Sequence, residues 1–301
     1  MTASRPALAA DPASCSKVRF ALVSWTDIQA TTGIATSVLK AMGYQTTVTD
    51  LSVPLIYEGM KNKDLDVFLG NWMPTMVNDI KPFTDDKSVE VVRANLEGAK
   101  YTLAVPAYLY DKGLHDFKDI VKFKKELNGK IYGIEAGNDG NRIILDMIEK
   151  NAFGLKGWNL VESSEQAMLS EVERAGKNQK AIVFLGWEPH PMNTQFKMKY
   201  LTGGDEYFGK NLGGATIYTN VRAGYTKACP NVGKFLNNLT FSLTQENQIM
   251  GAILNEKADP EVAGKAWLSK NPAVLAPMLA GVTTLDGKPA LDAVKAALGV
   301  K

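Results

Sequence analysis

Histidine and cysteine are scarce in this sequence: its 301 residues hold two of each. His115 and His190 lie far apart, as do Cys15 and Cys229, so a zinc site built from His and Cys is nearly excluded and no metal is expected. No Gly-x-Ser-x-Gly elbow, His-Glu-x-x-His or Cys-x-x-Cys occurs, which removes the usual hydrolase, metalloprotease and dithiol signatures. No window approaches the roughly 18 uninterrupted apolar residues of a membrane-spanning helix. Neither sign of charge dominates: 34 Lys+Arg against 32 Asp+Glu leaves +2, without the basic stripe of a nucleic-acid binder. No fixed-period repeat or low-complexity tract is present. The segment 204–211 resembles a phosphate loop but carries Asn211 where Ser or Thr binds magnesium, and Asp205 and Glu206 where phosphate sits. It reads as a surface loop. Glu188 reads as a helix-start acid and His190, between two prolines, as a turn residue. The chain is therefore not expected to be an enzyme or to hold a cofactor.

What is present is an ordinary globular composition, with 45% hydrophobic and 22% charged residues. At about 150 residues per domain the length suggests two domains. Strand patterns over 18–23, 46–49 and 65–70 alternate with helical patterns over 28–42 and 54–63, a β-α-β-α-β order that predicts a mostly parallel sheet. The theme restarts with a strand over 101–105, a helix over 117–127, a strand over 130–134 and a helix over 141–150. Ser163, Ser164, Glu165 and Gln166 have capping-box spacing before another helix, and 181–185 is a central-strand pattern. From Pro230 the chain turns helical, over 232–239, 245–254, 260–269, 272–279 and 289–298.

The first residues look unlike a folded element. Ala7-Leu8-Ala9 fits the small-x-small pattern before a signal-peptidase cut, although the apolar region that should precede it is missing. A trimmed signal peptide and a disordered tail both remain open. Cys15 and Cys229 are either a bridge formed in an oxidising compartment or two free thiols, and the signal-like tail favours the bridge.

Ligands in α/β folds sit at the carboxyl ends of strands. There the sequence places Ser24-Trp25-Thr26-Asp27, Gly70-Asn71-Trp72-Met73-Pro74, Glu135-Ala136-Gly137-Asn138-Asp139-Gly140-Asn141 and Gly186-Trp187-Glu188-Pro189. One strand-end Trp is usually packing, but three of the five Trp share this placement. Trp158 and Trp267 do not, and read as core. Aromatic faces suit a quaternary ammonium, which cannot donate a hydrogen bond, at about 0.5–2 kcal/mol per face. Asp27 can supply a counter-charge or cap the following helix, or both. Asn138 and Asp139 are first a helix entry and second a ligand contact.

These four motifs, in order and over nearly the whole chain from Cys15, resemble the substrate-binding proteins of glycine betaine/choline ABC importers. The resemblance implies a two-lobe periplasmic-binding-protein fold of type II, with mixed, mostly parallel sheets flanked by helices and a ligand cleft between the lobes. It implies a tail over 1–14, lobe 1 over 15–100 and 213–301, and lobe 2 over 101–212. The family's aromatic box maps onto Trp25, Trp72, Tyr101 and Trp187, its acidic partner of the ammonium onto Asp27, and its hydroxyl-binding amide onto Asn138. Its disulfide matches Cys15 and Cys229. Ala136 departs from the Pro of many relatives, which loosens the loop holding Asn138 without removing a side-chain contact. The resemblance also implies a periplasmic monomer that closes on its ligand and docks on a membrane permease, with ligand sensing as the alternative to transport.

The box accepts choline, acetylcholine, glycine betaine and carnitine alike, so the tail decides. A carboxylate tail calls for Arg, Lys or a helix N-terminus. The residues singled out include the acid Asp27 and the amide Asn138 but no Lys or Arg; Arg142 is near in sequence but lies inside the helix entry. Choline is expected over glycine betaine.

Overall fold

The computed structural model describes residues 11–300. Nine strands occur among them: β1 Lys17–Leu22, β2 Gln45–Asp50, β3 Val67–Met73, β4 Val89–Pro106, β5 Lys130–Tyr132, β6 Asn159–Val161, β7 Phe184–Glu188, β8 Met198–Tyr200 and β9 Gly214–Arg222. They form one continuous ladder in the order β2-β1-β3-β9-β4-β7-β5-β6, with β8 paired to β4. β1 runs parallel to β2 and β3, and β5 runs parallel to β6 and β7. The centre is antiparallel, because β4 and β9 cross the molecule in opposite directions. The sheet is mixed, as expected, but it is not mostly parallel: the long ladders that β4 and β9 make are antiparallel and outweigh the parallel pairs at its two ends.

Strand β4 joins the two ends of the sheet. From Val89 to Lys100 it pairs with β9, from Lys100 to Ala104 with β7, and from Ala104 to Pro106 with β8. The sequence reading starts this strand at 101. Its earlier half escapes notice because the register to β9 slips three times between Val91 and Ala99, which destroys the alternation a strand normally shows. A similar shift affects β7, expected over 181–185 and found at Phe184–Glu188. The run 181–183 precedes the strand and pairs only through the Val183 carbonyl, which accepts the Tyr132 N–H at 2.9 Å, and the displacement puts Trp187 inside the strand.

Helices cover the sheet. Thr26–Ala41 buries 13 of its 16 residues, the small polar Thr31, Thr32, Thr36 and Ser37 among them. It packs against Pro260–Lys270 so closely that a Cβ on Gly33 would lie 2.3 Å from the Pro260 carbonyl oxygen. The C-terminal helices Pro230–Asn238, Leu243–Asn255, Pro260–Lys270 and Ala290–Leu298 follow the expected order. The expected helix over 272–279 is broken into a 3-10 turn, Pro272–Val274, and a single turn, Leu275–Met278, where Pro277 offers no N–H to continue. The expected helix over 117–127 is a 3-10 helix, Phe117–Phe123. The helix Val77–Asp85 was not foreseen, since Pro82 lies inside it.

The tail expected over 1–14 ends sooner. Asp11 is buried, and its carboxylate accepts the N–H groups of Asn231 (2.7 Å) and Val232 (3.0 Å) and the Tyr44 hydroxyl (3.1 Å). An acid at the first turn of Pro230–Asn238 satisfies free N–H groups and the helix dipole, so residue 11 is drawn into the fold. Residues 1–10, on which the signal-peptide reading falls, lie outside the described residues. Cys15 and Cys229 form a disulfide, with Cα atoms 5.7 Å apart, beside the same helix.

Candidate functional site

Trp25 occupies the N-cap position of the helix Thr26–Ala41, just past β1, and Asp27 lies in that helix's first turn. Trp72 stands near the end of β3 and Tyr101 on β4. Trp187 is the residue directly opposite Tyr101 on β7. Asn138 is the N-cap of Asp139–Glu149. These six residues, with Ile134 and Asp139, line one small cavity. Every one of them is buried. Cis peptide bonds, Met73–Pro74 and Glu188–Pro189, follow the Trp72 and Trp187 strand ends.

The aromatic walls are held by edge-to-face contacts. Tyr101 sits between Trp72 (centroids 5.9 Å apart) and Trp187 (6.2 Å), and rests on Phe208 (5.9 Å). Such pairs add roughly 0.5–1.5 kcal/mol each beyond area burial. Phe208 is fully buried while Asp205, Glu206, Lys210 and Asn211 are exposed, so 204–211 is a surface segment, as expected, that turns one aromatic ring inward against Tyr101. Gly140 gives Tyr101 its room, since a Cβ there would lie 2.0 Å from the Tyr101 hydroxyl.

The polar groups are aimed by hydrogen bonds. Trp25 Nε1–H donates to Glu135 Oε1 at 2.8 Å, and Trp72 Nε1–H donates to Asp27 Oδ2 at 3.1 Å. Asn138 Oδ1 accepts from the Asn141 N–H (2.8 Å) and the Tyr101 hydroxyl (3.2 Å). Two donors on that oxygen fix the orientation of the amide. Its Nδ2, Asp27 Oδ1 and both oxygens of Asp139 have no hydrogen-bond partner among the described residues. Unpaired buried polar atoms are costly, and four of them belong to residues that line this one cavity.

Electrostatically the cavity is acidic. Burial, then the nearby Glu165, pushes the Asp27 carboxyl up to about 7, against the pull of first-turn N–H groups and the Trp72 indole. Burial pushes Asp139 up to about 6, with Asp79 adding to the effect and Thr75 and Arg142 opposing it. No Lys, Arg or His among the described residues lines the cavity. Arg142 is committed elsewhere: it grips Asp79 with two nitrogens, at 2.6 and 2.8 Å, and the Thr75 carbonyl at 3.2 Å.

Several roles differ from the sequence reading. Asp27 is not the helix cap. The cap bonds come from Glu165, whose Oε2 accepts the Thr26 N–H at 2.9 Å and whose Oε1 accepts the Thr26 hydroxyl. Ser164, not Ser163, caps the helix Glu165–Lys177. Glu188 lies in β7 and pairs with Lys100 at 2.8 Å rather than starting a helix. His190 is fully buried and touches both Glu165 (3.2 Å) and the Trp187 ring (centroids 4.9 Å). Ile134, Glu135 and Glu165 were missed as site components. Ile134 and Glu135 had a signal, their strand-end position; Glu165 had none.

Residues 16–270 match the family described as the substrate binding domain of ABC-type glycine betaine transport system. The chain belongs to this family. It is 63% identical to a solved ABC-transporter choline binding protein in complex with choline, over 96% of this chain and all of that one, with a TM-score of 0.95. Against an ABC-transporter choline binding protein in an unliganded semi-closed conformation, also 63% identical, the TM-score is 0.88 over 95% and 100% of the two chains. The glycine betaine complex of lactococcal OpuAC is 27% identical, with a TM-score of 0.79 over 87% of this chain and 98% of that one. The glycine betaine/carnitine transport binding protein GbuC of Listeria monocytogenes is 31% identical over 163 residues, 54% of this chain and 53% of that protein. The family fixes the class of activity: a substrate-binding protein of a betaine/choline ABC transporter, working with a membrane permease. No helix among the described residues is long and apolar enough to cross a membrane.

Proposed function

We propose that the protein captures choline, with its trimethylammonium against Trp25, Trp72, Tyr101 and Trp187 and its hydroxyl near Asn138 and Asp27. One observation carries this reading: the cavity joins four aromatic side chains to two carboxylates and no cationic side chain among its described lining residues. Four π-faces at about 0.5–2 kcal/mol each supply roughly 2–8 kcal/mol toward a quaternary ammonium. Asp27 and Asp139 complement its charge at short range. Asn138 Nδ2, left free by the bonds to Oδ1, is a donor available to a ligand hydroxyl oxygen. A carboxylate tail would instead face two buried acids, an unfavourable like-charge encounter. The choline bound by the 63%-identical relative supports the same choice.

Capture proceeds by closure of two lobes, 11–100 with 213–300 and 101–212. The exchange of β4's partner at Lys100, and the start of β9 at Gly214, support hinges at those points. Trp25, Asp27 and Trp72 belong to the first lobe, and Tyr101, Asn138 and Trp187 to the second or its edge. Neither set encloses a cation alone, so the ligand favours the state that gives it all faces. The higher TM-score to the choline complex than to the semi-closed form supports reading the present arrangement as closed. The protein is taken to work in the periplasm after signal-peptide removal, a setting in which the Cys15–Cys229 bridge persists.

Tryptophan fluorescence tests the reading. Choline added to ligand-stripped protein is expected to shift and quench the emission of Trp25, Trp72 and Trp187, saturably and with one site per chain. No spectral response to choline, with a response to glycine betaine, would overturn the choice of ligand.

A further inference from the structure

We propose that Glu165 is a positioning residue that caps the ligand-bearing helix from the opposite lobe, so that closure sets Trp25 and Asp27 in place. This rests on the reading of the protein as a two-lobed binder. The helix Thr26–Ala41 begins without a side-chain cap of its own: its N-cap residue is Trp25, whose side chain makes no capping bond. Free N–H groups at a buried helix start need partners. Glu165 provides them from 139 residues away in sequence, taking the Thr26 N–H and the Thr26 hydroxyl on its two carboxylate oxygens.

Glu165 is itself held in place. His190 Nδ1 accepts the Met192 N–H at 2.9 Å, which leaves the ring proton on Nε2 to donate to Glu165 Oε1 at 3.2 Å. The same imidazole stands edge-on to Trp187. A continuous path therefore runs from Trp187 through His190 and Glu165 to Thr26, and so to the residues on either side of it, Trp25 and Asp27. Glu165 and His190 are both buried, so this path is shielded from water and strong in effect. When the lobes part, the Thr26 bonds are lost as a unit.

The charges around the path make its role measurable. Asp27 faces Glu165 from the second lobe and Glu246 from Leu243–Asn255, and receives the Trp72 indole N–H. Glu165 faces His190 and lies near Glu135. Closing an empty cleft brings these acids together, and a bound cation offsets them. Removing the charge at Glu165 while keeping its shape therefore loosens the cap and also changes the pH at which Asp27 ionises.

The test compares wild type, Glu165→Gln and Glu165→Ala, with folding checked by circular dichroism. Choline affinity and dissociation rate are measured from pH 5.5 to 8.5, and hydrogen exchange is followed in the segment 25–29. Glu165→Ala is expected to weaken choline about 10- to 100-fold, mainly through faster dissociation, as is usual for changes in a preformed site. Glu165→Gln is expected to fall between, and to move the pH midpoint of choline affinity toward acid. At saturating choline the Thr26 amide should gain protection in wild type and gain markedly less in Glu165→Ala. Wild-type affinity, dissociation rate and pH midpoint in both variants, with the Thr26 amide still protected, would overturn the proposal. Failure of wild type to bind any quaternary amine would instead sink the functional reading, and with it the ligand-driven closure on which the cap rests.

Discussion

The indole N–H of Trp72 donates to Asp27 Oδ2 at 3.1 Å, while Asp27 Oδ1 has no hydrogen-bond partner among the described residues. One aromatic wall is thus fastened to the acid beside it by one carboxylate oxygen, and the other oxygen is left for a guest. The pairing joins the end of β3 to the first turn of Thr26–Ala41. It makes Asp27 an anchor for the wall, and on the proposed function a charge for the ligand as well.

Asp27→Asn separates those two roles. The amide oxygen still accepts from Trp72, so the wall stays, but the negative charge is gone. Choline affinity should fall by about tenfold or more, the scale of a charged interaction worth roughly 1.5–3 kcal/mol. Glycine betaine should gain relative to choline. Calorimetry on both ligands checks this; unchanged values for both would leave Asp27 a purely structural acid.

Affinity should also depend on pH. With Asp27 raised to about 7 and Asp139 to about 6 in the empty cavity, acidification neutralises the groups that attract a cation. Choline binding is therefore expected to weaken as pH falls from 8 to 5.5, and binding near pH 7 should release protons. The sign for stability is the reverse in the ligand-free protein. Carboxyls whose folded pKa is raised bind more protons folded than unfolded between about 4 and 7, so they make the empty fold less stable as pH rises through that window. The rise in Tm on adding choline should be larger at pH 8 than at pH 5.5. A Tm shift that shrinks with rising pH would contradict the assigned charges.

Trp187 contacts both Tyr101 and His190, so it joins the aromatic walls to the buried imidazole. Trp187→Phe keeps an apolar ring but offers a weaker π-face, and Trp187→Ala removes it. A desolvated face is worth about 2 kcal/mol, or roughly 30-fold in affinity. The Ala variant should lose at least that much, with the Phe variant between it and wild type. Equal choline affinity in wild type and Phe variant, with a folded Ala variant still binding, would remove Trp187 from the box.

Gly140 tests the support of Tyr101. Alanine fits the helical backbone there, so the substitution acts through space rather than conformation. Its Cβ would meet the Tyr101 hydroxyl at 2.0 Å and force that ring off Asn138. Gly140→Ala should weaken choline by about tenfold while the double variant Gly140→Ala/Tyr101→Phe recovers part of the loss, a coupling of the size seen between touching residues, roughly 0.5–3 kcal/mol. Additive losses in the pair would show that Gly140 matters for another reason.

The site was legible in the sequence where chemistry and local position coincide. Trp25, Trp72 and Trp187 each follow an apolar strand run, and Asn138 opens a helix between glycines, so the strand-end rule finds them. Tyr101 carries no such signal: the strand it sits on begins at Val89, and its ring meets the cavity only because β7 pairs beside it. Family resemblance identified it; periodicity did not. Glu135 and Glu165 act on partners 110 and 139 residues away, and no local pattern encodes such pairings. The same limit hid the first half of β4, where three register slips erase the alternation, and left Asp11 looking like part of a tail although a distant helix holds it.

Isothermal titration of ligand-stripped protein with choline, and then with glycine betaine, tests the central claim most directly. Stripping matters because a tightly held guest would mask the site. Choline is expected to bind at one site per chain, at least about 100-fold more tightly than glycine betaine, a difference of roughly 2.7 kcal/mol. Equal affinity, or a preference for glycine betaine, would contradict the account of an acidic cavity that selects against a carboxylate tail.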